Sequence, residues 1–349
     1  MKVVFDVQRL YYLPQYEPLM RELKSRGVEC IAIARDDGDP EGRICRNTLG
    51  GQFAVETAGD VTEAIALARA IRPDWTIVGN DNPYRGETTG RSALLYHGIG
   101  VKQVYYSPHL MDVDLRFVEG PYREAALQER FPDAWLEPVG FPKLDPLLKG
   151  EVDTPDIGLD ATKPTVLYAP TFFPSSIGKL PLDFPARLDD CNLIIKPHQF
   201  SLTNRNYADQ RRRFAAWEKY SNVFVAGPEW PSLVPFMAMA DMLVSEASSA
   251  LFEFAALDKP VVWCDFLKLR WGYRWPFGYR LRRRMDQEIH RYADVAAHAR
   301  SPRDLYTTVR EELENPERRA SERARITAEL IGPTDGRASR RAADILLEK

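Results

Sequence analysis

A small polar turn, Ser248 and Ser249, separates an apolar run at residues 242–244 from a helix-forming segment. The first N–H groups of a helix have no partner within it, and together with two serine hydroxyls they favour a phosphate or pyrophosphate. Glu253 follows Ser249 by four residues, about one helical turn, where it can reach a ribose hydroxyl of the same ligand. The turn therefore predicts a nucleoside diphosphate site. An ordinary serine N-cap that binds nothing is the alternative.

A histidine in the first half of the chain also has the surroundings of a reactive group. His97 ends an apolar run and is followed by Gly98 and Gly100, which allow another backbone or a ligand to come close. A neutral imidazole here can take the proton of an attacking hydroxyl, which makes His97 the candidate general base. The alternative is that His97 forms a local hydrogen bond and Gly98 only supplies a turn.

Three more polar residues follow apolar runs in the second half of the chain, where loops leave a sheet. Lys196 and His198 come after residues 192–195, and Thr171 comes after residues 165–168. Facing the serine turn, Lys196 and His198 would neutralise a leaving pyrophosphate, and Thr171 would offer a further hydroxyl to the ligand. Exposed polar strand ends are the alternative for Lys196 and His198.

Strand-like apolar runs alternate with segments of helical periodicity throughout the chain. The alternation predicts an α/β fold of two Rossmann-like, doubly wound parallel sheets, with the ligand in a cleft between two domains. We expect an N-terminal domain over residues 1–150, a C-terminal domain over residues 151–330, and a terminal helix in 331–349 that packs back towards the N-terminal domain. Individual elements include a helix at 61–71 and strands at 101–106, 165–168 and 192–195.

Composition narrows the functional classes. The net charge of -3 gives no global reason to expect nucleic acid as a partner. The four cysteines are scattered without a CxxC pair, which suits a reduced cytoplasmic setting, and no metal-ligand motif is present. The absence of GxGxxG after the first strand argues against a dehydrogenase.

Residues 270–284 interleave aromatic rings with arginines, among them Arg274, Arg280 and Arg283. Such a loop suits a lipid headgroup layer or an anionic acceptor, because both accommodate aromatic bodies and cationic heads. A basic loop that folds over its own domain is the alternative.

Taken in order, these motifs resemble the CDP-glycerol glycerophosphotransferase family of teichoic-acid type primases and polymerases. Residues 96–102 read Tyr-His-Gly-Ile-Gly-Val-Lys, similar to the family's Trp-His-Gly-Thr-Pro-Leu-Lys segment. Residues 139–145 and 167–171 resemble the signatures that follow, and residues 196–198 resemble its basic-Pro-His element. Residues 240–260 resemble the family's segment with a Ser-Ser turn and a later acid.

The resemblance implies a GT-B architecture without metal or other cofactor. By this likeness His97 would deprotonate an acceptor hydroxyl that attacks CDP-glycerol, while His198, Ser248 and Ser249 would stabilise the departing CMP and Glu253 would hold the ribose. The acceptor would be a polyol phosphate or a lipid-linked saccharide of the cell envelope. The enzyme would be cytoplasmic, with peripheral membrane contact.

Departures from the family pattern leave the donor open. Ile99 and Gly100 replace Thr-Pro, residues 246–247 read Glu-Ala in place of Asp-Tyr, and residues 172–173 read Phe-Phe in place of Trp-Arg. A UDP-sugar glycosyltransferase or UDP-GlcNAc 2-epimerase of the same architecture is the enzyme alternative. A catalytically silent module that binds envelope polymers is the alternative of another class.

Overall fold

The computed structural model describes residues 1–36, 38, 40–99, 103–269 and 287–348. These residues form two compact units, and the first contains residues 1–99, 104–149 and 328–348. The second contains Gln103 and the described residues between 150 and 327. Each unit has its own parallel sheet.

Within the described residues, the strands of the first unit are β1 (Lys2–Val7), β2 (Glu29–Arg35), β3 (Ala54–Ala58), β4 (Trp75–Val78), β5 (Arg91–Leu95), β6 (Leu115–Val118) and β7 (Leu136–Pro138). They lie in the order β3-β2-β1-β4-β5-β6-β7, and neighbouring strands run parallel. Its helices are α1 (Leu13–Ser25), α2 (Pro40–Leu49), α3 (Val61–Ile71), α4 (Pro121–Arg130) and α5 (Asp145–Lys149). Short 3-10 helices occur at Leu10–Tyr12, Gln103–Tyr106, Pro108–Met111 and Pro142–Leu144.

The second sheet contains β8 (Thr165–Tyr168), β9 (Asn192–Ile195), β10 (Val223–Val225), β11 (Met242–Ser245), β12 (Val261–Cys264) and β13 (Ala297–Ala299). Their order is β10-β9-β8-β11-β12-β13, again parallel. The helices that follow in the chain are α6 (Gln199–Thr203), α7 (Ala208–Trp217), α8 (Val234–Met239), α9 (Ser249–Ala255), α10 (Pro302–Glu314), α11 (Ala320–Leu330) and α12 (Ala338–Glu348). Further 3-10 helices are Phe184–Leu188, Arg205–Tyr207 and Gln287–Val295.

The first sheet is covered on both faces. Val3 and Phe5 of β1 lie in a core that α1 and α12 complete, whereas Val4 lies in a second core with residues of α3. Strands that are buried on both sides read as continuous apolar runs, as the sequence shows here.

The C-terminal helix α12 belongs to the first unit. Asp145 accepts hydrogen bonds from the backbone N–H groups of Ala338 (3.0 Å) and Ser339 (2.7 Å), which places a carboxylate at the start of α12. Near its end, the Leu346 carbonyl accepts a hydrogen bond from Trp75 Nε1 at 3.2 Å. Polar contacts thus fix both ends of the helix in this unit.

The predicted fold class is confirmed, and several elements agree closely. The helix predicted at 61–71 is α3, and β8 and β9 occupy the predicted residues.

The strand predicted at 101–106 is wrong over its described part, because Gln103–Tyr106 is a 3-10 helix. The Arg123 guanidinium stacks on the rings of Tyr105 (4.9 Å) and Tyr106 (4.6 Å). These tertiary contacts hold a curled backbone and override the β propensity of the Val-Tyr-Tyr sequence.

Candidate active site

Both sheets have a topological switch point. The chain adds strands in one direction and then reverses, so the switch points lie between β1 and β4 and between β8 and β11. Ligands of open parallel sheets bind outside the carboxyl ends of the strands at such points. Thr171 follows β8 and Ser248 follows β11, whereas His97 follows β5, the neighbour of β4.

His97 lies among three tyrosine rings. Its ring centroid is 4.4 Å from that of Tyr96, 4.7 Å from that of Tyr11 and 5.0 Å from that of Tyr12, which is nearly parallel to it. Nδ1 of His97 lies 3.4 Å from the carbonyl oxygen of Gly79. Because a carbonyl only accepts, this contact favours the neutral tautomer with its proton on Nδ1 and a lone pair on Nε2. A general base needs such a lone pair.

Two glycines permit this close packing. A Cβ on Gly79 would lie 2.7 Å from Cδ2 of Tyr12 and 2.8 Å from the Tyr16 hydroxyl, and one on Gly98 would lie 2.9 Å from the Tyr105 hydroxyl. The sequence pointed to Gly98 through its place beside His97. Gly79 was missed, although a glycine that ends an apolar strand is a usable signal.

Asp6 is a second residue that sequence reasoning missed. It is fully buried in β1, and its Oδ2 accepts a hydrogen bond from Gln8 Nε2 at 2.7 Å. Burial raises the pKa of Asp6, while the hydrogen bond from Gln8 and the charge of Arg35 oppose that rise. An acidic residue inside the apolar run at residues 3–7 was the available signal.

Glu246 connects the loop 171–176 to β11 at the switch point of the second sheet. It is buried directly after β11 and accepts hydrogen bonds from the backbone N–H groups of Ser176 and Thr171, both at 2.6 Å, and from the Ser176 hydroxyl at 2.5 Å. Burial raises the pKa of Glu246, and these hydrogen bonds oppose the rise. The sequence identified Glu246 only as a departure from a family pattern, whereas the structure makes it the residue that ties the loop 171–176 to β11.

Thr171 is held through both of its polar groups. Its N–H donates to Glu246, and its hydroxyl donates to the carbonyl of Pro174. In this arrangement the hydroxyl proton is engaged within the loop, so Thr171 Oγ1 presents lone pairs to any further partner.

Ser248 is the N-cap residue of α9, yet its side chain makes no capping hydrogen bond. Its hydroxyl lies 3.1 Å from that of Ser245, which donates to the Ala169 carbonyl at 2.6 Å. The Ser248 hydroxyl therefore donates to Ser245 and leaves the first N–H groups of α9 to other partners. Ser249 is the first residue of α9 and is half-buried, and Glu253 lies one turn further along and is buried.

His198 has the opposite tautomer preference to His97. Its Nδ1 accepts a hydrogen bond from the backbone N–H of Phe200 at 3.1 Å, so a neutral His198 carries its proton on Nε2 and acts as a donor there. Its ring centroid lies 4.7 Å from that of Phe172, which places it beside the loop that carries Thr171. Lys196 is buried after β9 and donates to the carbonyl of Pro197 at 3.3 Å.

The remaining predicted site residues, Arg274, Arg280 and Arg283, lie outside the described residues. Among the residues that the structure does describe, no group of three or more His, Cys, Asp or Glu side chains is arranged to hold a metal ion. In the same part of the chain, no helix has both the length and the apolar character needed to cross a bilayer.

Two α/β units with parallel sheets and polar residues at their switch points define a protein of the GT-B class. The family model described as CDP-Glycerol:Poly(glycerophosphate) glycerophosphotransferase matches residues 102–348, and the chain belongs to this family. It is therefore a transferase of the glycerophosphotransferase type. The match begins five residues after His97, so it includes the second-unit residues and leaves His97 outside.

Solved structures share the fold at low sequence identity. The wall teichoic acid polymerase TagF is 14% identical, with a TM-score of 0.67 over 99% of this chain and 88% of that one. UDP-GlcNAc 2-epimerase from Neisseria meningitidis, bound to UDP-GlcNAc, is 14% identical, with a TM-score of 0.65 over all of both chains. A putative 2-epimerase from Listeria monocytogenes is 12% identical, with a TM-score of 0.66 over 99% and 96%. No curated protein sequence matches this chain.

Proposed function

We propose that the protein transfers glycerol phosphate, or a related polyol phosphate, from a CDP-activated donor to a hydroxyl of a cell-envelope polymer or lipid-linked saccharide. The observation that carries this proposal is the polar carboxyl edge of the second sheet, within the segment that matches the family. Glu246 holds the loop 171–176 through hydrogen bonds at this edge. The Ser248 side chain does not cap α9, so the first N–H groups of that helix remain for other partners. The second unit is accordingly the donor domain of the proposal, and the first unit is the acceptor-side domain.

The phosphates of the CDP-activated substrate are held by hydrogen-bond donors that the second unit already orients. Nε2 of His198 carries a proton in the neutral tautomer, so it donates to a phosphate oxygen without first taking up a proton. Lys196 supplies positive charge at the neighbouring strand end, and Ser248 and Ser249 supply hydroxyls. Charge that develops on the departing CMP is stabilised by this set. Glu253 is assigned to the ribose.

The proposed base is His97. Its Nε2 lone pair accepts the proton of the acceptor hydroxyl while that oxygen attacks the β-phosphorus of the donor. The new bond joins the acceptor oxygen to this phosphorus, and the bond that breaks joins the phosphorus to the oxygen that leaves with CMP. The Gly79 carbonyl supports the step, because its oxygen accepts a hydrogen bond from Nδ1–H as the ring becomes cationic.

The proposed setting is the cytoplasmic face of the membrane, reached through peripheral contact. Residues 270–284, with Arg274, Arg280 and Arg283, supply the basic and aromatic side chains for an anionic acceptor or lipid surface. Their part in the proposal comes from the sequence alone.

A nucleotide panel tests the donor. CDP-glycerol, CDP-ribitol, CDP, UDP and UDP-GlcNAc are compared by the rise in melting temperature that each produces, since a ligand that binds only the folded state stabilises it. Stabilisation by cytidine ligands is expected. A uridine preference would favour the epimerase or sugar-transferase alternative, and no response would favour a silent binding module.

His97→Ala tests the base. CMP release from CDP-glycerol should fall by roughly 10²- to 10⁴-fold while CDP affinity is kept. An equal loss of CDP affinity would remove His97 from that role.

A further inference from the structure

Two buried arginines converge on Tyr105, a residue of the 3-10 helix Gln103–Tyr106. The carbonyl oxygen of Tyr105 accepts a hydrogen bond from Arg116 Nη2 at 3.0 Å. The Arg123 guanidinium stacks on the ring of Tyr105, with its central carbon 4.9 Å from the ring centroid. Arg116 and Arg123 are each 2% exposed, and Tyr105 is 3% exposed. The backbone of this tyrosine is therefore held from β6 and its side chain from α4.

The buried charges around Tyr105 make this arrangement costly. Arg123 Nε donates to the Glu119 carboxylate at 3.1 Å, so one carboxylate is buried here with two guanidinium groups. Burial lowers the pKa of Arg116 to about 10. Well-packed apolar side chains are often at least as stable as buried charges, so such groups are weak evidence for stability. What they supply here is a set of directional contacts that fixes one position of Tyr105.

Tyr105 in turn contacts both chain neighbours of His97. Its ring meets the ring of Tyr96 edge-on, with 4.8 Å between the centroids. Its hydroxyl packs so closely against Gly98 that a Cβ on that glycine would lie 2.9 Å from the hydroxyl oxygen. The ring centroid of Tyr96 lies 4.4 Å from that of His97. A shift of Tyr105 is therefore passed to the imidazole through the residues before and after it in the chain.

We propose that Arg123 is a positioning residue for His97 and acts through Tyr105. The inference rests on the proposed role of His97 as the general base. Tyr105 and Tyr96 separate Arg123 from the imidazole, so its contribution is the placement of Nε2 relative to the acceptor hydroxyl. A base must lie within hydrogen-bonding reach of the proton that it takes, and a misplacement of about 1 Å can cost on the order of a hundredfold in rate.

Arg123→Lys tests the placement, because lysine keeps the positive charge beside Glu119 and loses the planar group that stacks on the ring. We expect kcat for CMP release from CDP-glycerol to fall by about tenfold or more. The CDP dissociation constant should stay unchanged, because the proposed donor residues belong to the second unit. Arg323→Lys is the matched control, since Arg323 is also 2% exposed and pairs with Asp258 at 2.8 Å, but lies in the second unit. It should lower stability and keep the wild-type kcat.

Tyr105→Leu tests the route from Arg123 to the base. It removes the ring between Arg123 and Tyr96 and keeps the backbone hydrogen bond from Arg116, so it should lower kcat by a similar factor. Residues that contact each other and act together are not additive. The double variant Arg123→Lys/Tyr105→Leu should therefore fall no further than the less active single variant. Losses that multiply in the double variant would overturn the proposed route, and so would wild-type kcat in Tyr105→Leu.

The imidazole of His97 supplies a readout that does not depend on turnover. The ¹⁵N shifts of its two ring nitrogens distinguish the neutral tautomers, and comparison with His97→Ala assigns the signals. These signals should move in Arg123→Lys and in Tyr105→Leu, and they should keep their wild-type positions in Arg323→Lys. Unmoved signals in the first two variants, or an equal movement in the third, would overturn the proposal.

The two readouts also separate this proposal from the proposed transfer. If the wild-type protein releases no CMP from CDP-glycerol, the proposed transfer fails, and the His97 signals then decide whether Arg123 positions the imidazole. If Arg123→Lys does not fold, Tyr105→Leu is compared with Arg323→Lys by the same two readouts.

Discussion

Replacing Gly79 by alanine would test whether the backbone beside His97 sets its activity. The new Cβ would lie 2.7 Å from Cδ2 of Tyr12 and 2.8 Å from the Tyr16 hydroxyl. The first distance is about 1 Å inside ordinary carbon–carbon contact. Tyr12 is 2% and Tyr16 is 0% exposed, so neither ring has room to turn away. The strain of overpacking, about 1–3 kcal/mol, must then move the backbone at Gly79 or the ring of Tyr12.

Both of these groups contact His97. The Gly79 carbonyl is 3.4 Å from Nδ1, and the Tyr12 ring stacks on the imidazole. A misplacement of about 1 Å can cost on the order of a hundredfold in rate. We expect kcat for CMP release from CDP-glycerol to fall by about that factor. CDP affinity should stay unchanged, because the proposed donor residues belong to the other unit.

Gly59→Ala is the matched control in the same unit. Its Cβ would approach Glu63 Oε2 at 3.3 Å, the far end of a flexible side chain that can move away. This variant should keep wild-type turnover. A folded Gly79→Ala protein with kcat within about twofold of wild type would refute the argument that this backbone positions the base, because the expected misplacement is far more damaging.

Three further predictions concern residues at the carboxyl edge of the second sheet and the buried carboxylate of Asp6. Ser248→Ala combined with Ser249→Ala should weaken CDP-glycerol binding by about tenfold or more, as expected for two lost hydrogen bonds, measured by calorimetry. Glu246→Asp shortens the carboxylate by one methylene and withdraws it from the N–H groups 2.6 Å away, so CDP affinity should fall by about tenfold in the same assay. The raised pKa of Asp6 means that the wild type loses stability as pH rises from the usual 3.8 through the folded value. Asp6→Asn should lack that loss in melting curves recorded across this range.

Controls separate these effects from general damage. Glu312→Asp shortens another buried carboxylate of the second unit, which pairs with Arg319 at 2.6 Å, and it should lower stability without changing CDP affinity. Unchanged affinity in the double serine variant would mean that Ser248 and Ser249 do not hold the donor. If Asp6→Asn and wild type show parallel melting curves at every pH, the buried carboxylate is not the group that titrates.

Sequence alone predicted the second sheet well because its strands are short, apolar and bounded by polar turns. Residues 165–168 and 192–195 are strands with the predicted bounds, since burial on both faces leaves an uninterrupted hydrophobic run. The same rule failed at Gln103–Tyr106, where aromatic residues look like a strand but serve as partners for Arg123. The local sequence pattern does not show that the Arg123 guanidinium of α4 will contact these rings.

Site residues could be predicted from the sequence where they directly follow a strand. They could not be predicted where their role depends on a contact with a residue distant in sequence. His97 and Ser248 stand out because a polar residue follows an apolar run. Glu246 reads as a departure until its hydrogen bonds to a loop about 70 residues earlier are known. Gly79 likewise gains its meaning only from Tyr12 and Tyr16, which precede it by more than 60 residues.

In His97 and His198 the neutral tautomer, more than the residue type, determines the proposed role of each side chain. Gly79 presents a carbonyl to Nδ1 of His97, and Phe200 presents an N–H to Nδ1 of His198. The first arrangement leaves Nε2 with a lone pair, and the second leaves it with a proton. Two neutral imidazoles are thereby prepared for opposite tasks, one to take a proton from an alcohol and one to donate a hydrogen bond to a phosphate. Exchanging their backbone partners would exchange those capacities without changing either side chain.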